Sequence, residues 1–119
     1  MSMNSNPDKF AKANGLTIVV PEPNQLQLDI DSPKLPANYA EQLEILGCIR
    51  KITSVRQTTS KSGNIHVYID LDGPIAPVER VLLQACMGSD QKRELLTFLN
   101  MQSPDNKRPQ FLYELAPKV

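Results

Sequence analysis

Asp29-Ile30-Asp31 sets two carboxylates one residue apart in a stretch that alternates apolar and polar residues. His66, the only histidine of the chain, stands in a second such stretch with Tyr68 and Asp70. On a β-strand, residues i and i+2 project from the same face, so each set acts together. Two adjacent carboxylates repel unless a proton or a cation sits between them. Mg²⁺ and Mn²⁺ suit such oxygen ligands and keep substrate phosphates among the remainder, and two such ions can align a phosphoryl transfer. Asp29, Asp31 and Asp70 are therefore candidate metal ligands. A strand with its polar side in solvent carries the same pattern, and both readings stand at this level.

His66 follows Ser62-Gly63-Asn64-Ile65, a tight turn whose backbone N–H groups can meet an anion. His66 and Ser62, with Arg56 and Lys61, are candidates for contact with a nucleotide or phosphate. Arg50, Lys51, Arg56 and Lys61 fall in a stretch with no acid between Glu44 and Asp70. It reads either as a solvated strand and loop or as a phosphate-contacting edge. Tyr68 is a candidate partner-binding residue, able to stack a base as exposed sheet aromatics do. No catalytic nucleophile or acid is assigned. Gly-x-Ser-x-Gly, Walker A, dinucleotide-binding glycine and zinc-ligand patterns are all missing from the sequence.

The elements that would hold these groups follow from periodicity. Residues 1–14 are polar and read as a flexible tail, with Phe10 as a possible anchor. Residues 15–119 read as one α+β domain. Leu16–Val20 is β-rich and stops at Pro21 and Pro23. Gln25–Asp31 turns Leu26, Leu28 and Ile30 one way and Gln27, Asp29 and Asp31 the other. Ala37–Ile49 is a helix with Tyr39, Leu43, Leu46, Ile45 and Ile49 on its apolar stripe. Lys51–Thr59 and Ile65–Asp72 form a hairpin about Ser60–Asn64. Val78–Met87 is a helix whose expected inner face carries Val78, Val81, Leu82, Ala85 and Cys86. Gly88 closes it, and Ser89 or Asp90 caps a helix through Asn100 that buries Leu95, Leu96 and Leu99. Ser103–Arg108 is a loop, and Phe111–Leu115 a last strand. The simplest closure is a ferredoxin-like, RRM-like β-α-β-β-α-β sheet with helices on one face. Its first and third strands are neighbours, which gathers Asp29, Asp31, His66, Tyr68 and Asp70 on one open polar face.

The run Asp29-Ile30-Asp31, then Ser62-Gly63-Asn64-Ile65-His66, then a later acid resembles the catalytic pattern of archaeo-eukaryotic primases, over roughly residues 26–72. The resemblance implies metal binding by Asp29 and Asp31, nucleotide contact by His66 and a third acid at Asp70. It also implies Mg²⁺ or Mn²⁺ as cofactor; without it, no cofactor is expected. Separately, the stretch from Glu79-Arg80 through Gly88-Ser89-Asp90 to Leu95 looks like small phage proteins, which implies a phage or mobile-element origin.

Composition narrows the rest. The 119 residues include 40% hydrophobic and 22% charged ones, ordinary for one globular domain. Thirteen acids balance thirteen bases, whereas proteins bound to nucleic acid by charge alone are usually basic. Cys48 and Cys86 sit in apolar helical patterns and read as buried free thiols, which suits a reducing, cytoplasmic compartment. No apolar run approaches the ~20 residues that span a bilayer. Two function classes remain. One is an interaction protein binding a protein or nucleic-acid partner, and the other a minimal metal-dependent nucleotidyl-transfer module.

Overall fold

The structure is a computed structural model that describes residues 6–103 and 109–116. Its elements are α1 (Pro7–Ala13), β1 (Leu16–Val19), β2 (Gln25–Ile30), α2 (Tyr39–Ile49), β3 (Ile52–Thr59), β4 (Ile65–Leu71), α3 (Pro77–Cys86), α4 (Gln91–Met101) and β5 (Leu112–Leu115). Most of the loop expected at Ser103–Arg108 lies outside the described residues, as do residues 1–5 of the expected tail.

Part of that tail is a helix. Asn6 Oδ1 accepts from the main-chain N–H groups of Asp8 and Lys9 at 3.0 and 3.3 Å, and Pro7 takes the first turn, where its missing N–H costs nothing. Ala11 is buried, and the Phe10 ring lies 5.2 Å from that of Tyr113. The polar composition that suggested a tail is that of a short capped helix held by two apolar contacts.

β2, β4 and β3 form an antiparallel sheet in that spatial order. Asp29 pairs with His66 and Gln25 with Asp70. Val55 pairs with Ile69 and Gln57 with Val67, after an irregularity between Ile52 and Ser54. The β3–β4 turn closes with Gly63 at φ 91°, a conformation that favours glycine. The sheet's apolar face carries Leu26, Leu28, Ile30, Ile65, Val67, Ile69 and Leu71, packed with Leu46 of α2, Ile75 and Met87. Each such side chain contributes about 1.5–3 kcal/mol relative to exposure.

The expected fourth strand does not join this sheet. β5 pairs antiparallel with β1 in a separate two-stranded sheet, with Ile18 opposite Tyr113 and Thr17 opposite Glu114. The place beside β2 is already filled by α3, α4 and the turn between them. The Gln27 N–H donates to Gln84 Oε1 at 2.8 Å and the Asp29 N–H to Ser89 Oγ at 3.0 Å. The Gln25, Gln27 and Asp29 carbonyls accept from Arg80 Nε at 3.0 Å, an Arg93 guanidinium nitrogen at 2.9 Å and the Asp90 N–H at 2.7 Å. With the Gln25 N–H donating to the Glu22 carbonyl, each outward main-chain group of these three residues has a partner. An edge sealed this way offers no ladder to another strand.

Sealing the edge turns α3 and α4 inside out. Gln84 and Glu94 are 0% and 2% exposed, while Leu82, Leu95, Leu96 and Leu99 are 59%, 57%, 54% and 50% exposed. The expected inner positions Val78, Leu82, Cys86, Leu95, Leu96 and Leu99 are therefore outside; only Val81 of the stripe is buried in α3. Cys48 and Cys86 are exposed rather than buried, because their helices bury other faces. Ile45 and Ile49 of α2 are exposed as well, with Leu46 directed inward.

Candidate functional site

β2 and β4 bring Asp29 and His66 side by side, and the second sheet then covers His66. Glu114 on β5 reaches onto the polar face of the first sheet and accepts hydrogen bonds from three side chains. Thr58 Oγ1 donates to it at 2.7 and 2.9 Å, Tyr68 donates its hydroxyl, and His66 Nδ1 lies 2.9 Å from Oε2. Gln27 Nε2 adds a link to the Val19 carbonyl on β1 at 2.7 Å. The face expected to be open is thus an internal layer where His66, Tyr68 and Gln27 lie buried, whereas Asp29 and Asp70 are half-buried and Asp31 is exposed.

His66 lies between two carboxylates, with Nε2 3.5 Å from Asp29 Oδ1 and Nδ1 against Glu114. Burial works against charge on the ring, but the hydrogen bonds and negative charges of Asp29 and Glu114 outweigh it and raise its pKa above the ordinary histidine value. Both nitrogens can donate only as the imidazolium. Burial, followed by the Glu114 carboxylate, pushes the Tyr68 hydroxyl well above the usual tyrosine range. Tyr68 is thereby kept neutral as a donor.

A second polar cluster adjoins this layer. Glu94 accepts from Gln84 Nε2 at 2.8 Å, Ser89 Oγ at 2.6 Å, Arg93 at 2.6 Å and Gln110 Nε2 at 3.0 Å. Arg93 also donates to Gln27 Oε1 at 2.8 Å. Burial lowers the guanidinium's pKa, and Glu94 and Asp29 pull it back up. The cluster is structural: it satisfies the β2 edge and holds the α3–α4 hairpin against it.

The polar layer opens into a cleft of about 790 Å³ between the β3–β4 turn and α4. Asp29, Asp31, His66, Lys61 and Ser62 line one side; Lys92, Leu96 and Asn100 of α4 line the other; Phe10, Phe111 and Tyr113 also contribute. Five of the sequence-predicted site residues therefore share one cavity. Their side chains are partly engaged within the protein. Asn64 Nδ2 donates to Asp31 Oδ1 at 3.1 Å, Lys61 Nζ donates to the Asn14 carbonyl at 2.9 Å, and the Ser60 and Ser62 hydroxyls pair at 3.1 Å.

The other three lie elsewhere. Asp70 accepts from Gln25 Nε2 at 2.8 Å. It is four residues along the ladder from His66, about 13 Å at strand spacing, too far to share an ion with Asp29. Arg56 sits over the buried Tyr68 ring, 4.3 Å from its centroid, on the outer strand β3. With Arg56 over its ring and only 2% of its surface exposed, Tyr68 offers no open ring face to a base. Among the described residues, no three His, Cys, Asp or Glu side chains are grouped to hold a metal ion.

Sequence reasoning passed over Glu114, Gln84 and Glu94. Gln84 left a trace, as the lone polar residue in the run Val81-Leu82-Leu83-Gln84-Ala85-Cys86. Glu114 left none, because its role depends on which sheet β5 joins. Comparison of the chain with protein-family models, curated proteins and solved structures found no match. No helix among the described residues is long and apolar enough to cross a membrane.

Proposed function

We propose that this chain is a non-catalytic interaction module that docks a partner protein on the outer face of α3 and α4. The observation that carries the reading is the inversion of these helices. Val78, Leu82 and Cys86 recur every four residues on α3, and Leu95 and Leu99 do so on α4, all exposed. Positions four apart lie on one side of a helix. Exposed apolar residues grouped on the outer sides of two packed helices are the kind of surface that protein interaction sites use. The polar groups that would ordinarily occupy it are committed to the β2 edge. A protein partner fits better than a nucleic acid, because net charge is zero and the sheet's one aromatic, Tyr68, is buried. A phage or mobile-element origin, implied by the resemblance of the α3–α4 sequence, accords with a small binding module of this kind.

Affinity capture with the wild-type chain and a Leu82→Arg/Leu95→Arg variant, followed by reconstitution of the captured pair from purified proteins, tests the reading. We expect a protein held by the wild type and lost by a variant with unchanged circular dichroism. Equal retention by both sinks it.

The nucleotidyl-transfer reading keeps one specific observation: Asp29, Asp31, His66 and Ser62 line the same cleft. It lacks the third acid, since Asp70 is remote. Calorimetric titration of Mn²⁺ with a nucleoside triphosphate decides it. Binding by the wild type that Asp29→Asn/Asp31→Asn abolishes would restore that reading in place of ours.

A further inference from the structure

β3 is the other edge of the three-stranded sheet, and it is unsealed. Its main-chain direction follows from β2. Gln25, Gln27 and Asp29 turn their main-chain groups outward, so Leu26, Leu28 and Ile30 turn theirs toward β4. These pair with Ile69, Val67 and Ile65, leaving His66, Tyr68 and Asp70 to bond β3. Their partners are Thr58, Arg56 and Ser54. By the same alternation Val55, Gln57 and Thr59 present their N–H and C=O groups outward. Among the described residues, none of these groups has a hydrogen-bond partner, and all three residues are exposed.

The flanking side chains say what would pair there. Val55 extends the apolar face that α2 covers and is 45% exposed, and Ile45 and Ile49 of α2 are exposed as well. Arg50, Lys51, Arg56 and Lys61 frame the strand without an intervening acid. Arg50 is neutralised by Glu79 at 2.6 and 2.9 Å, whereas Lys51 and Arg56 have no carboxylate partner among the described residues. An extended chain carrying acids on one side and an apolar residue on the other complements this edge. A second copy paired along the full strand does not. Antiparallel self-pairing centred on Val55 or Arg56 sets the two Arg56 side chains opposite or diagonal to each other, within ~5–8 Å, and like charges there are destabilising.

We propose that the outer edge of β3 receives an extended, acidic segment of a partner protein as a fourth strand of the sheet. The segment would lie along Val55–Thr59, with its apolar side chain beside Val55 and its carboxylates toward Arg56 and Lys51. This surface is separate from the outer face of α3 and α4, so either can fail without the other.

The probe is a synthetic peptide of about eight residues alternating valine and glutamate, the length of a strand, compared with its valine–lysine counterpart. Amide hydrogen exchange followed by NMR reads each main-chain group. We expect the glutamate peptide, and not the lysine one, to protect the Val55, Gln57 and Thr59 amides. Gln57→Pro deletes an outward N–H at an edge position where proline is tolerated, and should weaken binding about tenfold or more. If that variant unfolds, Lys51→Glu serves in its place, since it leaves the ladder intact and should also weaken the glutamate peptide. Three results overturn the proposal. One is no protection by either peptide, which would leave the basic residues as guards of a bare edge. Another is equal protection by both peptides. The third is protection that rises with protein concentration alone, which would make the occupant a second copy.

Discussion

Along β2, six outward main-chain groups from Gln25 to Asp29 find partners in α3, α4, their connecting turn and Glu22. Along β3, the outward groups of Val55, Gln57 and Thr59 have none among the described residues. The same sheet therefore has one edge closed, mostly by side chains, and one left to solvent. Closure has a consequence beyond the edge. The residues that perform it are polar and sit on the inner sides of α3 and α4, so the leucines of those helices face out. The interaction surface on α3–α4 and the absence of a fourth strand are two results of one arrangement. The open edge needs no such arrangement, and β3 carries mostly exposed threonine, serine, arginine and glutamine.

The comparison breaks most readily at Glu94. Its carboxylate takes hydrogen bonds from Gln84, Ser89, Arg93 and Gln110 while almost wholly buried. Glu94→Ala leaves the Arg93 guanidinium buried without its counter-charge, which costs about 3–5 kcal/mol. Urea unfolding should show that loss, and amide exchange should show the Gln27 and Asp29 N–H groups opening with it. Gln84→Ala is the milder version. It strips the Gln27 N–H of its acceptor but leaves the ion pair, so about 1–3 kcal/mol is expected. A loss under 0.5 kcal/mol in both variants would mean that the seal does not hold the edge.

These effects explain how far the sequence could be read. The strands β2 and β4 were legible, because period-two alternation specifies a strand's faces. Their adjacency, and with it the meeting of Asp29 with His66, was expected only from a ferredoxin-like closure, and the β2–β4 pairing is present although the four-stranded sheet of that closure is not. The fate of β5 was not. Which sheet a short strand joins depends on whether the β2 edge is free, and that depends on Arg80, Gln84, Ser89 and Arg93, residues that read locally as helix surface or caps. The inner face of α3 was misread for the same reason. Periodicity locates an apolar stripe but not which side the rest of the protein needs, and here the need was for hydrogen bonds. The cleft carried five predicted residues, yet the open polar face behind it was an error of layer: Glu114, distant in sequence, lies on top of it.

His66 links the closed side to the second sheet, and pH adjusts that link by a smaller amount. Its folded pKa is raised above the unfolded value by Asp29 and Glu114, against the opposing effect of burial. A group with a raised folded pKa contributes its full stabilisation below the unfolded pKa, about 6.5. The contribution is lost as pH rises through the folded pKa. Wild type should therefore lose stability between mildly acidic and alkaline buffer relative to His66→Gln, which keeps a hydrogen-bonding side chain without the charge. Thermal unfolding of both proteins across pH 5.5 to 9 checks the sign. Parallel curves would show that the imidazolium is not what holds Glu114.

The smallest effect belongs to the open edge. Val55 lies at the margin of the apolar face, with its backbone groups directed away from the sheet, so Val55→Thr keeps the β-branched shape and removes little buried area. Its unfolding free energy should stay within about 0.5 kcal/mol of wild type, measured by the same urea titration that registers Glu94→Ala. The contrast is the point of the measurement. If the edge were covered in solution by a second copy, Val55→Thr would lower stability in a concentration-dependent way, because association contributes to the folded state by mass action. A flat response from 1 to 100 μM, judged on that mass-action scale, leaves β3 free in the isolated chain and available to a strand from elsewhere.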